Sequence, residues 1–158
     1  MVTTKTLAAS GAALALAGTL LAGTSGSAGA APRGEVTAAV ACGDLAYLSD
    51  PAAATGQTTV KEASGSTGTA QIRTGRYNGK QYGWAKASRA AYSDLNIVFE
   101  VDVNGDRKAD CTYSRAVSSR IYTAAKATHS SSAVAFRACL LFTVSHGCNA
   151  AATKTGWW

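Results

Sequence analysis

Oxygen-bearing side chains recur at alternate positions in one short segment, Asp102-Val103-Asn104-Gly105-Asp106-Arg107-Lys108-Ala109-Asp110. Calcium takes about six to eight oxygen ligands, and a tight turn presents them from one side. Asp102, Asn104, Asp106 and Asp110, with the backbone carbonyl of Lys108, are therefore a candidate calcium set. Gly105 supplies the dihedral freedom that such a turn needs. Arg107 and Lys108 count against it, because they bring two positive charges beside the ion. The competing expectation is a solvated β-turn, in which Asp and Asn side chains accept hydrogen bonds from nearby backbone N–H groups.

A second candidate is the interleaved run from Arg76 to Lys86. Its Tyr77, Tyr82, Trp84 and Lys86 could form a ligand-binding face, since rings stack on sugars or peptides and cations or amides bond to them. The alternative is a hairpin whose Trp84 fills a core. Hydrolytic chemistry has two imidazoles to draw on, His129 and His146. Neither shows zinc-ligand spacing, and no Gly-x-Ser-x-Gly or His-Glu-x-x-His motif accompanies them. Glu100 and Asp102 share a strand face, so paired carboxylates are conceivable. No residue is assigned a catalytic role.

The elements that must position these groups are mostly strands. Leu95 to Val103 alternates with period two and is rich in β-branched and aromatic residues. Val134 to Val144 does the same, with Val134, Phe136, Ala138, Leu140, Phe142 and Val144 expected on its core face. Thr69 to Thr74 and Tyr82 to Lys86 flank Asn78-Gly79, a strong hairpin signal. Ala109 to Tyr113 reads as a strand after the acidic loop. Thr58 to Val60 is a weak strand candidate, and Ala63 to Gly68 reads as a loop. Residues 38–48 fit a short helix or an irregular segment. Residues 116–128 fit either a helix or a strand, and the β-branched and aromatic cluster at Arg120 to Thr123 favours the strand. The expected fold class is all-β: a small disulfide-stapled antiparallel β-sandwich or open barrel.

The first thirty residues follow the order of a secretory signal peptide. Lys5 precedes the apolar run Leu7 to Leu21, and small residues end at Ala28-Gly29-Ala30. That run is shorter than the roughly 20 residues of a spanning helix. Residues 1–30 are thus expected to be a signal peptide, and residues 31–158 a single secreted β-rich domain without an integral membrane segment. Removing Lys5 from the 15 Lys and Arg leaves 14 against 9 Asp and Glu. This balance suits an anionic cell-wall polymer. The cations are scattered along the chain, so no nucleic-acid role is expected. An even set of four cysteines in an exported chain implies two disulfides. Three pairings are possible. The favoured one is Cys139–Cys148, which closes a short loop, with Cys42–Cys111 closing a long one. The terminal Trp157-Trp158 should pack at least one ring against the domain.

Residues 102–110 resemble the Asp-x-Asn-Gly-Asp calcium loops of dockerins, integrin-type propellers and related extracellular repeats. They differ from the helical calcium loop in having Arg107 where its Gly stands and Tyr113 where its bidentate Glu stands. The segments Tyr82-Gly83-Trp84-Ala85 and Phe136-Arg137-Ala138-Cys139, with Cys148 before Trp157-Trp158, resemble a group of small secreted actinobacterial β-rich proteins of unassigned function. That resemblance implies export and a terminal disulfide hairpin, and it implies no activity. The functional expectation is an extracellular or cell-surface binding module for a glycan, a cell-wall polymer or an exported protein. A secreted inhibitor presenting Thr143 to Gly147 is the alternative, followed by a small hydrolase using His129 or His146.

Overall fold

The computed structural model describes residues 39–158. The expected leader, residues 1–30, and a mature start at Ala31 lie outside the described residues. Among these, nine strands form two antiparallel sheets: β1 (Tyr47–Leu48), β2 (Thr55–Gly65), β3 (Gly68–Tyr77), β4 (Lys80–Ala90), β5 (Asn96–Asp102), β6 (Cys111–Ala116), β7 (Ala125–Ala127), β8 (Ala135–Leu141) and β9 (Thr153–Lys154). The first sheet runs β1-β7-β4-β3-β2 and the second β6-β5-β8-β9. The sheets do not close into a barrel, so the sandwich alternative is the one the chain adopts.

Period-two patterning decides which side chains meet between the sheets. Ile97, Phe99 and Val101 from β5 pack with Phe136, Ala138 and Leu140 from β8. Ala70 and Ile72 from β3 and Ala85 and Ala87 from β4 complete that core from the first sheet. The first sheet contributes small residues where the second contributes large ones, and the two layers interdigitate. The Asn78-Gly79 turn joins β3 to β4 as expected, with positive φ at both residues (47° and 75°), which is the type I′ signature.

Both outer faces also carry cover at one end. Trp84 and Tyr82 point away from the main core, and Leu48, Ala54, Ala125 and Ala127 bury them in a second cluster. On the second sheet, Val98, Cys139 and Leu141 pack under Cys148 and Ala151. The Cys139–Cys148 bridge, with Cα atoms 5.5 Å apart, pins that cover in place. Cys42–Cys111, Cα atoms 6.2 Å apart, ties the N-terminal segment to β6. The favoured pairing is therefore the one found.

Two expectations need correction, and two open alternatives are decided. Residues 63–65 belong to β2, whose hairpin with β3 leaves only Ser66 and Thr67 as the turn. Polar composition had suggested a loop, but an exposed edge strand needs no apolar face. At 39–48 the irregular alternative is the one found, with a turn leading into β1, and within 116–128 the favoured extended reading holds, since Tyr122 bridges to Lys86 and β7 follows. The strand at 134–144 ends at Leu141. Phe142 and Val144 are consequently exposed rather than in the core, because the chain bends into a 3-10 turn at Val144–His146.

Candidate functional site

The acidic loop folds as a self-contained turn. Asp102 is fully buried at the end of β5, and its Oδ1 accepts the N–H groups of Asn104 (3.0 Å) and Gly105 (2.7 Å). Its Oδ2 accepts both the backbone N–H and the guanidinium Nη1 of Arg107, each at 2.9 Å. Asn104 Oδ1 accepts from the Asp106 N–H, and Asp106 Oδ1 accepts from the Lys108 N–H. Asp110 accepts from the Val103 N–H and from the Asn104 amide. Every proposed ligand side chain thus serves the turn, and Arg107 places its own cation on Asp102. Among the described residues no group of three or more His, Cys, Asp or Glu side chains converges as metal ligands would. Asp102, Asn104, Asp106 and Asp110 are thus arranged as acceptors for the turn, with the Lys108 N–H among the donors they serve. Burial by itself would raise the Asp102 carboxyl. The N–H groups of Gly105 and Arg107, the Arg107 guanidinium and the Asn104 N–H outweigh it and hold the group below the usual carboxylate value.

The expected aromatic face is divided. Trp84 and Tyr82 are interior residues and present no ring to a ligand. Tyr77 lies exposed beside the hairpin turn, and Lys86 is half-buried further along β4. Residues Tyr77, Tyr82, Trp84 and Lys86 do not form one binding face, because Leu48, Ala54, Ala125 and Ala127 bury the middle two.

Glu100 and Asp102 do not act as a carboxylate pair either. Arg137 Nε donates to Glu100 Oε2 at 2.9 Å, and the Cys148 N–H donates to Oε1 at 2.6 Å. Trp157 lies over the Arg137 guanidinium, 4.5 Å from ring centroid to Cζ. This buried ion pair was missed in the sequence. Its signal was a lone Glu and a lone Arg at the centres of two apolar strands, but pairing them required the β5–β8 register, which sets Glu100 opposite Arg137.

A shallow depression of about 220 Å³ opens beside the chain terminus. Phe136, Val134 and Trp158 form its apolar floor, and Thr128, His129 and Ser130 to Ser132 form its rim. Trp158 exchanges backbone hydrogen bonds with Phe136 in both directions at 2.9 Å, which extends the β9 edge to the last residue. The Trp158 and Phe136 rings lie 5.9 Å apart, and Trp158 remains 36% exposed. His129 Nδ1 accepts from the Ser131 N–H at 3.0 Å. Among the described residues no hydrogen bond joins His129 or His146 to a carboxylate, and His146 lies in the separate turn at Val144–His146. The packing of a terminal tryptophan was expected from the sequence. The serine and histidine rim it faces could come only from the fold.

These features define a disulfide-stapled antiparallel β-sandwich with a small aromatic depression at one end. Compared with family models, curated proteins and solved structures, the chain shows no match. Its two disulfides are of the kind that an oxidising compartment sustains. Among the described residues no helix is long and apolar enough to cross a membrane.

Proposed function

We propose that the chain is an exported, non-catalytic binding module that holds a glycan in the depression at Trp158. One observation carries this reading: an exposed tryptophan, seated on Phe136, faces a rim of one threonine, one histidine and three serines. Sugars pair apolar C–H faces with hydroxyl rims, so an aromatic floor beside short polar side chains matches them on both counts. Titration with soluble neutral oligosaccharides, cellotetraose and chitotetraose among them, should perturb Trp158 fluorescence and the His129 imidazole resonances. Trp158→Ala should abolish binding, while Tyr92→Ala, at a ring that packs on Phe142 past the other end of β8 from Phe136, should leave it intact. Trp158 and His129 signals unmoved by every sugar at millimolar concentration would sink the proposal.

A secreted inhibitor is the second reading, and the exposed rings near Thr143 to Gly147 favour it. Phe142 stacks at 5.5 Å on Tyr92, both are about half exposed, and the Cys139–Cys148 bridge supports the loop beside them. Assays against a panel of exported proteases should then show inhibition that Phe142→Ala and Val144→Ala remove.

A further inference from the structure

Cations that are scattered in the sequence gather on one sheet. The hairpins β2–β4 span residues 55–90 and hold six Lys and Arg (Lys61, Arg73, Arg76, Lys80, Lys86 and Arg89) against a single acid, Glu62. Strand register places several of them on the outer face. Ile72↔Ala85 and Ala70↔Ala87 point into the core, so the alternate pairs Arg73↔Trp84, Gln71↔Lys86 and Thr69↔Arg89 point outward. Arg73 and Lys86 are diagonal neighbours on adjacent strands, about 7–8 Å apart by sheet geometry. Arg120 joins them from the segment that bridges to Lys86, stacked 5.0 Å over the Tyr122 ring.

Among the described residues none of these cations is spent on an ion pair. The three salt bridges among the described residues lie elsewhere, at Arg107–Asp102, Lys108–Asp106 and Arg137–Glu100. Glu62 is on the same face and accepts from the neutral Gln71 amide, which leaves its negative charge in place. Asp50, at the margin, accepts from the Ala52 N–H and the Tyr122 hydroxyl. Arg73 Nε is buried and, among the described residues, has no hydrogen-bond acceptor. Against Arg73, Lys86, Arg89 and Arg120 the face sets, among the described residues, only the carboxylates of Glu62 and Asp50, so it keeps a net positive charge that suits an anion.

From this we propose that the outer face of the first sheet docks an anionic polymer of closely spaced phosphodiester groups, with Arg73, Lys86, Arg89 and Arg120 as its contacts. Three of the four are arginines, whose planar fork grips phosphate oxygens in pairs. The surface is distinct from the depression at Trp158, and it stands or falls without the glycan reading.

Poly(glycerol phosphate) of defined length is the probe, with a thymidine oligonucleotide and polygalacturonate as competing polyanions. Poly(glycerol phosphate) should bind most tightly. With about four contacts and a slope near −0.7 per contact, affinity should fall about 50-fold between 50 and 200 mM salt. The triple variant R73Q/K86Q/R89Q should lose at least about tenfold in affinity, with melting within about 2 °C of the parent. The control R115Q/K154Q, on the second sheet, should change affinity less than about twofold. Absence of binding at low salt, equal loss in the control, or tighter binding of the oligonucleotide or polygalacturonate would overturn the proposal. Should the triple variant unfold, the single variants R73Q and R89Q must each weaken binding at unchanged melting, and their failure to do so overturns it equally.

Discussion

The ring of Phe136 occupies the space that a side chain at position 83 would take. A Cβ on Gly83 would lie 2.7 Å from Phe136 Cδ2 and 2.8 Å from Cε2. The glycine belongs to β4 and the phenylalanine to β8, so this contact sets how closely the two sheets approach. Phe136 also stacks on Phe99 at 5.1 Å and on Trp158 at 5.9 Å, which leaves the ring little room to yield. Gly83→Ala should therefore destabilise by about 1–3 kcal/mol through overpacking. Thermal unfolding measures this, and an unchanged melting temperature would show that the sheets can part.

The Glu100–Arg137 pair should behave as a buried ion pair behaves. Removing one partner strands the other charge, so Arg137→Met and Glu100→Gln should each cost about 3–5 kcal/mol. The double variant Glu100→Gln/Arg137→Met should recover part of that loss. A double-mutant cycle by urea unfolding tests the coupling, and strictly additive losses would refute it.

Asp102 should contribute to acid sensitivity. Its carboxyl is held below the usual aspartate value, so the native state binds this proton less readily than the unfolded chain. The stabilisation is present above the unfolded value and is lost as pH falls through the lower folded value. Stability measured from neutral pH down through that window should decline in the parent. Asp102→Asn should be less stable at neutral pH and lose less on acidification. Identical acid profiles for the two proteins would refute the assignment.

Calcium should leave the protein unchanged. Arg107 supplies the positive charge at Asp102, and the turn's own N–H groups occupy the remaining oxygens. Calorimetry and melting at about 10 mM calcium, well above the weak affinities of extracellular modules, should show neither heat nor shift. Saturable binding with a rise in melting temperature would restore the cation site.

Deleting Trp157 and Trp158 should lower the melting temperature by several degrees. The deletion removes the cover over Arg137, the stacking on Phe136 and two backbone hydrogen bonds. Because Trp158 is partly exposed, the cost should fall below the roughly 3–5 kcal/mol of a fully buried aromatic. A non-reducing digest should still yield the Cys139–Cys148 peptide, and unchanged melting would show the terminal segment to be free.

Local pattern settled much of the fold. Alternation over Leu95 to Val103 and the Asn78-Gly79 turn are encoded in neighbouring residues, and backbone geometry alone converts them into β5 and the β3–β4 hairpin. The Cys139–Cys148 bridge was also accessible, since strand parity put Cys139 opposite the core face and the short spacing to Cys148 allowed a returning chain. Tertiary structure decided the rest, because it depends on which residues distant in sequence become neighbours. Whether Trp84 faced a ligand or a core depended on Leu48 and Ala54 lying across it. The end of β8 depended on where its partner strands stopped, which put Phe142 in solvent. That Arg107 folds back onto Asp102, among the oxygens of 102–110, was likewise decided only by the fold. Most of all, Arg73, Lys86 and Arg89, separated along the chain, came to share one outer face once β3 and β4 lay side by side. Period-two geometry fixes which face each side chain takes, but only strand order and register determine its company there.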